Sequence, residues 1–189
     1  DNNKLKQAES DIVITRIHEI FNNMYFESSK DYFLELHKYL FSDVYSFAGK
    51  YRTIEIYKQE RVLSYESVEI DYQLNEIFEI LRNTDLLSLD IEMQKDFVTS
   101  LISDLWKVRP FREGNTRTCL VFLRTYLNSY DIKFDINFFK HENIYKYMRD
   151  ALVASAFESD IYEKEREYKY LRRIIGDIIE LDQERKRKL

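Results

Sequence analysis

Residues 109–118 read RPFREGNTRT and hold the single proline of the chain and one of its three glycines. A chain so poor in helix breakers is expected to be mostly helical, so this pair punctuates a helical sequence. The residue before a proline is pushed out of the helical region, which ends the preceding helix at Pro110. Gly114 permits a tight turn, and Asn115 suits the cap of a new helix starting near Thr116. The free amides and the dipole of that helix start would face the turn and make an anion site. Arg117, on the first turn, adds a forked contact for a phosphate, and Glu113 offers the hard oxygen ligand that a Mg²⁺-nucleotide needs. The same residues equally suit an ordinary helix–loop–helix with one cap and surface charges.

Outward from the turn, apolar residues recur at helical spacing on both sides. A first helix is predicted at about 5–26 through Ile12, Ile14, Ile17, Ile20, Phe21 and Met24. A second follows a Ser29 cap along Tyr32, Phe33, Leu36, Tyr39 and Leu40. Further helices are predicted at about 66–82, 90–107, 116–130, 138–157 and 160–185, with Asp90 and Asp160 as starts. Between the second and third the character changes. After Gly49 comes the alternation Ile54–Glu55–Ile56, a polar tip Tyr57-Lys58-Gln59-Glu60, and then Arg61-Val62-Leu63. This reads as a short β-hairpin, which must lean on helices because two strands alone are marginal. The fold class is therefore all-α with one hairpin. No repeats and no linker-like stretches interrupt the chain, so residues 1–189 read as one domain with flanking helices.

With 189 residues the chain can bury about 70% of its unfolded surface. Hydrophobic content of 44% beside 33% charged residues marks a globular protein rather than a disordered tail. A formal net charge of −5 gives no global attraction to nucleic acid or an anionic membrane, so neither is an expected partner. Cys119 is the only cysteine, which excludes an internal disulfide and fits a reducing compartment. No apolar run reaches the length of a membrane span and no signal-peptide pattern opens the chain. The cytoplasm is the expected location, and an effector exported without a cleaved leader carries the same pattern. Fifteen Tyr and thirteen Phe, like the lone Trp106, read as packing residues.

The turn resembles the signature of the Fic (cell-filamentation) family, H-P-F-x-[DE]-G-N-G-R-x-x-R, with Pro110, Phe111, Glu113, Gly114, Asn115 and Arg117 in register. LHKYLFSDVYSFAGKYRTIEI, residues 36–56, is similar to the family's H-x-Y-L-F-x-D-V-Y-x-[WF]-A-G-x-x-R-T region, which precedes a target-positioning flap. The resemblance covers about residues 30–160. It implies a helical domain that transfers AMP from ATP, with Mg²⁺, to a hydroxyl of a target protein. By position, Glu113 would bind the metal, and Gly114, Asn115 and Thr116 would cradle phosphates. Arg117 would hold the β/γ end, and Phe111 would fix the loop from the core. Ile54, Glu55, Ile56, Tyr57 and Lys58 would form the flap. The family sometimes uses a small antitoxin-like inhibitor, and the target protein has no signal in the sequence.

Three signature positions depart from the pattern. The family histidine, the base that takes the target's proton, is Arg109, and a guanidinium with a pKa above about 12 cannot accept a proton at neutral pH. Losing a general base costs about 10²–10⁴ in rate. His37 occupies a family helix position and reads as structural. The second glycine is Thr116, whose branched side chain adds bulk near the phosphates. The last arginine is Leu120. The family's inhibitory pattern, [ST]-x-x-x-E-[GN], has no clear copy: Ser159 to Glu163 has the spacing, but Lys164 follows. The expectation is a degenerate member that keeps an anion site and has lost most transfer. The alternatives are a transferase with altered chemistry, with Glu113 as a poor base, and a non-catalytic interaction module.

Overall fold

Ser29 lies just before an apolar stripe, and its hydroxyl accepts the Tyr32 amide at 3.0 Å to open helix α2 (Lys30–Phe41). The side chain of Asp90 does the same for the Met93 amide at 2.9 Å, opening α4 (Ile91–Val108). Each cap satisfies a donor that the first helical turn leaves without an acceptor. The computed structural model describes residues 2–23, 25–58, 61–62, 65–134, 142–157 and 165–188. The remaining helices are α1 (Asn2–Asn23), α3 (Ile70–Arg82), α5 (Asn115–Ser129), α6 (Glu142–Ala156) and α7 (Lys169–Arg187).

In α3 the buried residues Ile70, Leu74, Ile77, Phe78 and Leu81 follow the 3.6-residue period of a one-sided helix. In α5 they run on without a gap from Thr118 to Leu123, the pattern of a helix enclosed on all sides. α2 and α4 both pack on α5, and α4 also carries α3, α6 and α7. Phe33, Phe78, Phe111 and Phe122 meet at the centre, with ring centroids 5.5–6.2 Å apart. The turn that ends α4 and begins α5 is thus anchored in the core by Phe111, which is fully buried. All-helical architecture surrounds the turn on the core side.

Two expectations are corrected. The strand at Ile54–Ile56 does not form. The described pairing is two residues long and lies further on, antiparallel, with Tyr57 opposite Val62 and Lys58 opposite Arg61. Side-chain alternation at 54–56 misled because the buried Arg52 takes the Ile54 carbonyl at 2.9 Å, where a strand partner would be. The last helix does not start near Asp160, since 165–168 are not helical. Instead the Glu167 amide bonds to the Ala154 carbonyl at 3.0 Å, and Arg166 reaches the Ser155 carbonyl at 2.7 Å and the Ser103 hydroxyl at 2.9 Å. Those bonds lay the segment against α6 and α4 before the chain turns into α7. The expected start at Phe138, and the Ser159–Lys164 stretch, lie outside the described residues, as do Gln59, Glu60 and Leu63.

Candidate functional site

Arg109 ends α4 in the left-handed conformation, with φ 43° and ψ 61°. The sequence places the residue before Pro110 outside the helical region, and the left-handed conformation lies outside it. A left-handed residue after a helix is a common stop that proline also tolerates, at a cost of about 1–2 kcal/mol for a non-glycine residue. The Arg109 carbonyl is held by Arg52 Nε at 2.8 Å, and the Pro110 carbonyl by the Arg52 amide at 2.8 Å. Five residues on, Gly114 has φ 80°, and a Cβ there would lie 2.6 Å from the Phe41 ring. Only glycine fits. Gly114, not Asn115, is the cap of α5, and its carbonyl accepts the Thr118 amide at 3.0 Å.

Asn115 has a different task from the one expected. Its Oδ1 accepts the Phe111 amide at 2.9 Å while its Nδ2 donates to the Phe111 carbonyl at 2.6 Å. One buried amide thus closes the turn on itself and satisfies both groups of a buried residue. His37, from α2, braces the other side. Its ring stacks on Phe111 with centroids 3.7 Å apart, and its Nδ1 accepts the Gly49 amide at 2.8 Å. Nδ1 must then be bare, so Nε2 carries the hydrogen and donates to the Glu113 carbonyl at 3.0 Å. Burial above all, with Arg117 nearby, pushes the ring's pKa down to about 4 against the partial support of that carbonyl. The neutral ring is therefore a brace, as the sequence reading held.

Around this frame stand the signature positions. Arg109 places its guanidinium carbon 5.4 Å from the Trp106 ring centroid. Its Nε and Nη1 are buried and have no hydrogen-bond partner among the described residues. Burial first, and the like charge of Arg52 second, loosen its proton. A guanidinium nonetheless remains a cation and a pure donor. Thr116 does not press into the turn: its hydroxyl accepts the Trp106 Nε1 hydrogen at 2.9 Å, so Trp106 also ties α4 to α5. Leu120 is wholly buried in the core. Glu113 exposes its carboxylate while its carbonyl serves His37.

Arg117 is engaged in an ion pair. Its Nη2 donates to Glu9 Oε1 of α1 at 2.6 Å, and its guanidinium lies 4.7 Å from the Phe41 ring centroid. The same Glu9 oxygen accepts the Tyr45 hydroxyl at 2.9 Å. Burial raises the Glu9 carboxyl, but the bonds from Arg117 and Tyr45 outweigh it and hold it below the ordinary value. Glu9 had no signal in the sequence, because nothing local links residues 108 positions apart. Among the flap residues, Ile54 is exposed, and Glu55 accepts the Ser67 amide at 2.9 Å and Arg52 Nη1 at 3.2 Å. Ile56 is half-buried, and Tyr57 and Lys58 form the first strand of the short pairing.

The sequence model of the Fic/DOC family matches residues 27–127. A probable protein adenylyltransferase of Sinorhizobium fredii, y4lH, is 36% identical over 91 residues, which make up 47% of this chain and 46% of that protein. The protein adenylyltransferase VbhT of Bartonella schoenbuchensis is 31% identical over 93 residues, 49% of this chain and 20% of that protein. The matched segments thus span less than half of either relative. The fold is similar to the N-terminal Fic domain of Bep8, a translocated effector of Bartonella sp. 1-1C. That likeness has a TM-score of 0.77 and 18% identity, covering 95% of this chain and 86% of the other. BepC of Bartonella tribocorum, solved with bound AMPPNP, gives a TM-score of 0.74 at 18% identity over 94% and 87% of the two chains. Among the described residues, no helix is long and apolar enough to cross a membrane.

Proposed function

Because the chain belongs to the Fic/DOC family, we propose that it is a relative of the AMP-transferring enzymes that retains a phosphate site but has lost the base for transfer. The observation that carries this is Arg109, which opens the turn leading into α5 and has two buried donor nitrogens without partners among the described residues. A guanidinium cannot take the proton from a target hydroxyl, but it is well suited to hold a phosphate. The unpaired donors also recommend an anion, since a buried donor without a partner costs about 1–3 kcal/mol.

The residues fit the phosphate end of Mg²⁺-ATP. The amides of Asn115, Thr116 and Arg117 lack helical acceptors and point into the turn together with the positive end of the α5 dipole. Glu113 exposes one carboxylate, and Mg²⁺ is commonly held by one or two carboxylates with the substrate phosphates and water. The metal would neutralise phosphate charge and orient the α-phosphate. Arg109 would add its charge where an imidazole stands in the family pattern. Glu9 would compete with the nucleotide for Arg117, so binding at the β/γ end requires that ion pair to open. The flap, Ile54 to Lys58, would lay a target segment across the turn, with edge pairing along its strand Tyr57–Lys58. The whole of 1–189 acts as one domain in this reading, in a cytoplasmic setting, on a target protein.

Calorimetric titration of AMPPNP with Mg²⁺ tests this. Binding that Arg109→Met weakens by tenfold or more, in a variant that keeps its fold, supports it. No binding to the wild-type protein overturns it.

A further inference from the structure

Arg52 sits just before the flap, its side chain fully buried. Its guanidinium gathers three backbone carbonyls: Arg109 at 2.8 Å, Ile54 at 2.9 Å, and Tyr65. Its own amide holds the Pro110 carbonyl at 2.8 Å. Ile54 and Tyr65 flank the paired residues 57–58 and 61–62, one on each side, while Arg109 and Pro110 open the turn. Glu55 completes the arrangement, accepting from Arg52 Nη1 at 3.2 Å with one oxygen and from the Ser67 amide at 2.9 Å with the other. Both ends of the flap and the entry of the turn therefore hang on one planar, rigid fork. Lysine has one point charge and no fork, so it cannot hold three carbonyls in a plane.

We propose that Arg52 is a positioning residue that couples the flap to the turn, setting the height and angle at which a segment lying on the flap meets the turn. What that segment would be rests on the function proposed above, but the coupling itself does not. A link of this kind is reciprocal: disturbing the flap end must loosen the turn, and disturbing the turn must loosen the flap. An arginine that merely fills a buried space would loosen only its own neighbourhood, or the whole core at once.

Amide hydrogen exchange of the full chain without ligand reads the coupling directly, apart from nucleotide binding. In Arg52→Lys, amides at 53–58 and 65–67 and those at 109 and 111–114 are expected to exchange about tenfold faster or more, since bonds from a charged donor are lost. Amides of the α7 interior stay at the wild-type rate. Glu55→Ala removes an exposed side chain and is expected to raise exchange in the same two segments by a smaller factor. Faster exchange confined to the flap segments, or no change in either, overturns the proposal. If Arg52→Lys loosens every helix, Glu55→Ala decides by the same criterion.

Discussion

Acid should weaken this protein through His37 before it protonates most carboxylates. The folded ring is neutral, with burial above all pushing its pKa from the ordinary 6.5 down to about 4, and its bare Nδ1 accepts the Gly49 amide. In the unfolded chain the same ring takes up its proton near 6.5. A group whose folded pKa is depressed binds more protons when unfolded, so its contribution is complete above about 6.5. It falls as the pH drops from about 6.5 to 4 and does not fall further below that. At 1.36 kcal/mol per decade the loss across this window is about 3 kcal/mol. Urea unfolding of wild type and His37→Gln at several values between pH 7 and 4.5 isolates it. The variant is less stable at pH 7, since the stacked ring is gone. Its stability should change by about 2–3 kcal/mol less than that of wild type over the window. Parallel curves for the two proteins, or a His37 ring that titrates near 6.5 by NMR, would refute the reasoning.

Three further outcomes follow from the turn. Gly114→Ala must force a Cβ against Phe41 at 2.6 Å while keeping φ near 80°, and thermal unfolding should show a loss of about 2–4 kcal/mol. Thr116→Val keeps the shape but leaves the buried Trp106 Nε1 hydrogen without its acceptor, which should cost about 1–3 kcal/mol and shift the tryptophan emission. Glu9→Gln removes the charge that occupies Arg117; the pair is part-exposed, worth at most about 1 kcal/mol, so AMPPNP should bind a few-fold tighter in calorimetry.

Helix positions were legible because capping and apolar period are local signals. Ser29 and Asp90 cap as their side chains suggest, and α3 and α4 lie close to the ranges predicted for them. The turn itself was legible through Pro110 and Gly114. Its internal wiring was not. Asn115 has the chemistry of a cap, yet the ring it closes with Phe111 depends on the backbone curling back on itself. The Ile54–Ile56 alternation looked like a strand, but Arg52 bonds to the Ile54 carbonyl from within the core. Arg52 and Glu9 act across 57 and 108 positions, and no local pattern announces a partner so distant. The start of α7 failed for the same reason, since Arg166 docks on residues of α4 and α6.

The central claim is that the site lacks its base and little else. Transfer of label from α-labelled ATP with Mg²⁺ to proteins of a cell extract, with wild type beside Arg109→His, tests it most directly. The account predicts labelled targets with the histidine variant and labelling lower by about 10²–10⁴ with wild type. Equal labelling by the two proteins would show that Arg109 is compatible with transfer. Labelling by neither would show that Thr116 and Leu120 have closed the site to ATP, and either result would contradict the claim.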